Sequence, residues 1–223
     1  MENKELSIEG VYRIKESDIK RCADVAAKAF IDDESSKFLL SSNLTYKTLY
    51  GFYSVLFKAI HKKMYMFADS EDINGFVTFS AIKNSEISLF EFLRVGGLKV
   101  IFSQGLGLVF NSLAYENNCV NIRKKFISND GWYIFQFGVH PEKQGMGVGS
   151  SVMKPVLRWF DAHNISCYLE TQKNVNVEIY KHLGFSLKSV NTLPKKEVKQ
   201  YAMLRDIISS KAQERSLVLL PGN

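Results

Sequence analysis

Proline and cysteine are scarce here, with four and three residues in a chain of 223. So few prolines, with no internal repeat and no low-complexity stretch, leave nothing that reads as a linker, and one domain carrying an insertion is expected. Cys22, Cys119 and Cys167 lie far apart and form no C-x-x-C pair. That excludes a disulfide framework and a cysteine zinc site, and no metal is expected. A membrane-spanning run is also lacking: the longest apolar tract, residues 88–114, is broken by Glu91, Arg94, Lys99 and several glycines. The opening residues MENKELSIEG lack the apolar core of a secretory signal. A soluble cytoplasmic protein with no membrane partner is the expectation. Basic residues are not interleaved with aromatics in any stripe, so no nucleic-acid partner is expected either. The net charge of +6 suits a solvated surface or a phosphate-bearing ligand.

What is present is a mixture of two periodicities. Residues 11–14 read as a short strand. A helix comes next with Ile19, Cys22, Val25, Ala26, Ala29 and Phe30 at helical spacing, and a second stripe runs through Leu49, Phe52, Tyr53, Leu56, Phe57 and Ile60. MYMFAD and GFVTFSA flank a turn at residues 70–74 as a hairpin. Residues 86–129 are helical but interrupted by Gly96, Gly97, Gly105 and Gly107, an insertion of two or three helices. WYIFQFGV at 132–139 is a strand, residues 149–162 a helix, CYLET at 167–171 a strand and residues 175–182 a short helix. Two last strands are expected at 185–190 and 198–205. Hairpins mixed with crossovers indicate an α/β fold on a mixed sheet.

The stretch VHPEKQGMGVGSS, residues 139–151, joins the strand to the helix through Gln144, Gly145, Gly147 and Gly149. A helix N-terminus exposes unpaired N–H groups and the positive end of a dipole, so a glycine-rich entry to a helix fits a pyrophosphate. Tight turns without any ligand use the same residues. A P-loop needs a lysine after the glycines, and a dinucleotide fingerprint needs glycine where Ser150 stands; both patterns fail.

Val139, Pro141, Gln144, Gly147 and Gly149 resemble the acetyl-CoA motif of the GNAT superfamily, Q/R-x-x-G-x-G/A preceded by V-x-P. LETQKNVNVEIYKHLGF, residues 169–185, is similar to the family's strand, Asn, Tyr and Gly-Phe series, with Asn174 and Tyr180 six residues apart. Residues 153–171 further resemble the branch that contains puromycin N-acetyltransferase. The resemblance implies a single GNAT-like domain over residues 1–210, a central mixed sheet flanked by helices, the insertion at 86–129, and a tail at 211–223 without a role. It implies acetyl-CoA as cosubstrate and transfer of its acetyl group to a primary amine of a small molecule by direct attack. A protein or peptide amine, and a non-catalytic acyl-CoA sensor, stand as alternatives.

The same resemblance assigns roles. Backbone N–H groups of residues 144–150 would cradle the pyrophosphate, with the Ser150 hydroxyl as a further donor. Backbone groups of Phe137 and Val139 would pair with the pantetheine arm, beside a bulge that Gly138 permits. Tyr180 matches the general acid, its phenol protonated at neutral pH. Asn174 would cap the adjoining helix, contact CoA, or both. The strand 132–139 has no carboxylate to act as base, so Glu170, through a held water, or a histidine is considered. Glu170 reads equally as a buried structural carboxylate. His140 reads as a surface residue, and His163 and His182 as helix-end residues. Phe90, Phe92, Phe102, Phe110 and Tyr115 would wall the acceptor pocket, or pack a core or a homodimer contact. Arg123, Lys124 and Lys125 would meet the adenosine phosphate or form a solvated helix face.

Overall fold

The computed structural model describes residues 6–193 and 198–207; the tail at 211–223 and the end of the 1–210 boundary lie outside the described residues. Strands β1 (Tyr12–Arg13), β2 (Tyr65–Ala68), β3 (Gly75–Ala81), β4 (Trp132–Val139), β5 (Cys167–Thr171), β6 (Ser186–Thr192) and β7 (Lys199–Arg205) form one sheet in the order β1-β2-β3-β4-β5-β7-β6. β4 and β5 are parallel and every other neighbouring pair is antiparallel. The helices are α1 (Ile19–Ala29), α2 (Glu34–Leu40), α3 (Tyr46–Ile60), α4 (Leu89–Phe92), α5 (Leu98–Gln104), α6 (Leu106–Arg123), α7 (Val148–Ala162) and α8 (Asn174–His182).

Local chemistry sets the element ends. The Thr45 hydroxyl accepts from the Thr48 amide at the start of α3, and Asp33 accepts from the Ser35 amide at the start of α2, each answering a donor the first helical turn cannot satisfy. In the hairpin, Asp69 Oδ1 accepts from the amides of both Asn74 and Gly75 and closes the β2–β3 loop. Helix α2 has no counterpart in the sequence reading, because its seven residues carry too few apolar positions to establish a period.

Alternate strand residues feed two layers. Met66, Ala68 and Phe76 face α1 and α3, joined by Val100 and Leu108 of the insertion. Phe67, Val77, Phe79, Ile134 and Leu169 face α7 and α8. Each fully buried large side chain in these layers contributes about 1.5–3 kcal/mol relative to exposure. The insertion is fastened as well as packed: Asn111 donates to the Phe38 and Leu39 carbonyls, Asn43 to the Gln104 carbonyl, and Asn118 to Gln200. On the opposite layer Arg205 of β7 forms a two-pronged ion pair with Asp161 of α7, fixing the helix that leaves the glycine loop.

Candidate functional site

β4 and β5 pair only at Trp132 with Cys167 and at Tyr133 with Tyr168; beyond these the two strands separate. The gap is built in by a bulge. Opposite β3 the register steps from Thr78↔Gln136 to Phe79↔Ile134, so Phe135 is the extra residue. The step re-aims the next two side chains: Gln136 turns toward Tyr53 of α3, while Phe137 packs toward α8 with its ring 6.4 Å from that of Tyr180. The bulge expected at Gly138 is therefore misplaced by three residues. Gly138 stays in register with Phe76, and a Cβ there would come within 2.9 Å of the Phe76 ring and 3.2 Å of the Phe30 ring. Its glycine is required by close packing.

The same register leaves part of the β4 backbone open. His140 donates to the Asn74 carbonyl, which makes residues 136 and 138 the hydrogen-bonded partners of β3. Phe137 and Val139, at the alternate positions, direct their backbone groups toward the gap. The Gln144 side chain donates to the Val139 carbonyl at 3.1 Å and holds the loop against the strand end.

That loop has the conformation a glycine-rich anion site needs. Gly145 and Gly147 have φ of +76° and +83°, and a Cβ at either would meet no atom within 4 Å. Backbone conformation and open space in front, rather than crowding, explain them. Gly147 is the N-cap of α7 and no side chain caps the helix, so the amides of its first turn stay available. Gly149 serves a different need, since a Cβ there would lie 3.1 Å from the Phe137 ring. Gln144, Gly145, Gly147 and Ser150 all lie on an exposed surface.

The gap opens into a cavity of about 260 Å³. Its walls come from β4, β5, α3, α8 and the insertion, and include Tyr53, Phe92, Leu113, Tyr115, Gln136, Phe137 and Tyr180. Three carboxylates line it, Asp33, Glu116 and Glu170, and no lysine, arginine or histidine does among the described residues, although Lys173 reaches to 3.9 Å of Asp33 and Arg123 pairs with the other two. Two buried acceptor atoms among them, Gln136 Oε1 and Glu170 Oε1, have no hydrogen-bond partner among the described residues. Buried acceptors left unpaired are costly, and they are matched by a ligand that brings N–H donors.

Glu170 is the most perturbed of these groups. Its side chain is 2% exposed, and burial raises its pKa to about 7 against the opposing pull of Arg123, Tyr133 and Tyr168. Arg123 Nη1 stops 3.9 Å from Glu170 Oε1 while Nη2 reaches Glu116 at 3.3 Å, and the guanidinium lies 4.2 Å over the Tyr133 ring. Burial also raises the Glu116 carboxyl above its ordinary value. Tyr180 sits on the α8 side of the gap, buried, and burial reinforced by the charge of Asp33 raises its phenol pKa.

The structure thus brings Glu170, Tyr180, Phe137 and Val139 around one gap, with the loop from Gln144 to Ser150 beside it. Asn174 is the exposed first residue of α8 and no side chain caps that helix, so the capping role expected of it is not found. Asn176 lines the cavity instead, its amide donating to Thr171 Oγ1. His140, His163 and His182 lie outside the cavity, each turned to neighbouring backbone. Arg123 is buried in the carboxylate cluster and fits neither expectation for it, whereas Lys124 and Lys125 are exposed. Of the insertion aromatics, Phe92 and Tyr115 line the cavity and Phe90, Phe102 and Phe110 are exposed. Asp33 and Glu116 carry no local signal in the sequence, because neighbours remote along the chain place them.

The model of the Acetyltransferase (GNAT) family matches residues 106–185, from the start of α6 through α8. Solved structures share the fold at low identity. One is a histone acetyltransferase and related acetyltransferase from Corynebacterium glutamicum, at 17% identity and TM-score 0.60 over 88% of this chain and 95% of that one. Another is the C-terminal condensation domain of Ebony in complex with beta-alanyl-dopamine, at 11% and 0.64 over 91% and 100%. A third is an N-acetyltransferase from Staphylococcus aureus, at 12% and 0.55 over 87% and 98%.

Proposed function

We propose that this chain, which carries a GNAT acetyltransferase domain, moves an acetyl group from acetyl-CoA to the primary amine of a small molecule with a largely apolar body. Acetyl transfer is supported by the family match and the fold together. The observation that carries the finer reading is the cavity at the β4–β5 gap: apolar walls, three carboxylates, and two buried acceptors lacking a donor among the described residues. An amine brings the missing donors, and its cationic form is drawn to the carboxylates.

The residues fit the cosubstrate on the other side. The open space before Gly145 and Gly147 and the uncapped first turn of α7 suit its pyrophosphate, with the Ser150 hydroxyl at hand. The backbone of Phe137 and the N–H of Val139 face the gap and suit the pantetheine arm, and a donor there polarises the thioester carbonyl, while the Val139 carbonyl is held by Gln144. Acetyl-CoA supplies an activated acyl group on a sulfur that leaves readily.

The protein's part is to hold two proton-handling groups on opposite sides of the gap. Glu170, on the α6 side, accepts a proton from the incoming amine directly or through water, and a pKa near 7 suits a base at neutral pH. Tyr180, on the α8 side, stays protonated and donates to the departing sulfur. Arg123 acts through Glu170 and is a positioning residue.

Release of free thiol from acetyl-CoA, measured across polyamines, aminoglycosides, aryl amines, arylalkylamines, amino acids and short peptides, tests the reading. Arylalkyl or alkyl amines are expected to be preferred over polyamines and peptides. Turnover with peptides alone would overturn the small-molecule assignment, and saturable acetyl-CoA binding without turnover would favour a sensor.

A further inference from the structure

The insertion is apolar on a face that the described residues leave exposed. Phe102 is 86% exposed and Phe90 72%, with Leu98, Leu106 and Phe110 also exposed. Leu98 and Phe102 are four residues apart on α5, and Leu106, Phe110 and Leu113 line one stripe of α6. The opposite side of α6 buries Leu108, Cys119 and Ile122. A surface helix normally carries one apolar stripe, and a helix apolar on two sides is expected to be covered on both.

Charge narrows what the cover can be. Between Phe92 and Tyr115 the only charged residues are Arg94 and Lys99, both exposed. Glu91 at the patch border is held by Lys63 at 2.9 Å and by the Ser88 amide, Glu116 faces the cavity, and Glu86 is exposed just before the patch. A second copy joined about a two-fold axis would set the same two cations against themselves without a free carboxylate in the stretch to answer them. A surface that is apolar within and negative at its boundary answers both features.

We infer that the exposed face of α4, α5 and α6 docks on an anionic lipid bilayer surface. Among the described residues no single helix is long and apolar enough to cross a membrane, and the segments Leu89–Gln104 and Leu106–Arg123 meet at 115°. Asn111 and Asn118 hold α6 to the domain, so the geometry is one of lying on a bilayer. Leu89 and Leu113 are at once exposed and part of the cavity wall, so the cavity mouth opens within the patch. If the cavity takes the acceptor amine, an amphiphilic amine would enter there from the lipid phase; the docking itself does not depend on that reading.

Vesicle flotation of the full chain tests the surface without any activity measurement. Vesicles of phosphatidylcholine alone are compared with vesicles in which a third of the lipid is phosphatidylglycerol. The chain is expected to float with the anionic vesicles only and to be released by high salt. Alanine at both Arg94 and Lys99 should lower partitioning by about 30-fold, at about fivefold per basic residue near such a surface. Phe90→Ser with Phe102→Ser, at exposed positions that leave the core intact, should lower it by at least about tenfold. No partitioning of the folded wild type, or equal partitioning of all variants, would overturn the inference. So would a dimer in sedimentation equilibrium that Phe102→Ser dissolves while wild type ignores vesicles, which would assign the face to a second copy.

Discussion

Arg123 Nη1 lies 3.9 Å from Glu170 Oε1, and the two side chains are 3% and 2% exposed. The pair is buried at the junction of α6 with β5, and neither of these atoms has a hydrogen-bond partner among the described residues. At this separation the cation restrains Glu170 and does not neutralise it, so burial prevails and the carboxyl titrates at about 7.

Removing the cation should therefore cost more than a surface ion pair. Arg123→Ala leaves Glu116 and Glu170 without their shared partner, and stability is expected to fall by about 3–5 kcal/mol. Arg123→Lys should recover only part of it, because an ammonium cannot reach both carboxylates while covering the Tyr133 ring. Urea denaturation of the three proteins checks this.

The raised Glu170 pKa also makes a stability prediction with a definite sign. The folded state holds this proton more tightly than the unfolded chain does, about 7 against 4.5. The contribution is fully present below about 4.5 and is lost as pH rises through about 7. Glu170→Gln should flatten the fall in stability across that interval. An unchanged slope would locate the titration elsewhere.

At the glycine loop, Gly147→Glu places a side chain at φ +83° and a carboxylate before the first turn of α7. The backbone cost is about 1–2 kcal/mol, too small to unfold the domain. Acetyl-CoA affinity should drop by at least about 100-fold, from a micromolar binding free energy of roughly −8 kcal/mol. Calorimetric titration beside a thermal melt separates the two effects.

Tyr180→Phe keeps the ring contacts with Phe137 and Phe185 and removes only the hydroxyl. Turnover should fall by about 100-fold, the low end for a proton donor, because a thiolate leaves readily. Acetyl-CoA affinity should change little. Equal loss of both would make Tyr180 a binding residue.

Strand β4, the glycine loop, α7 and Tyr180 were legible in the sequence because they lie within one contiguous stretch where strand, turn and helix chemistry come in order. The gap itself was less so. Gly138 permits a bulge by composition, yet the rings of Phe30 and Phe76 decide its place, and the bulge falls at Phe135. Glu170 stood out as a carboxylate on β5, but its burial depends on α6, whose side chains arrive from about fifty residues before it in the chain. Arg123 looked like the head of a basic surface triplet; helical rotation turns it inward while Lys124 and Lys125 stay in solvent. Gln136 was hidden because a polar residue on a strand has no local mark of facing a cavity.

The measurement that tests the central claim most directly is the pH dependence of turnover with an aryl amine, whose nitrogen is already neutral across the neutral range. With Glu170 as base, turnover of the wild type rises tenfold per pH unit below about 7 and then levels off, and Glu170→Gln loses both the rise and about 100-fold or more of the plateau. A rise that persists unchanged in Glu170→Gln would contradict the assignment of base and acid to opposite sides of the β4–β5 gap.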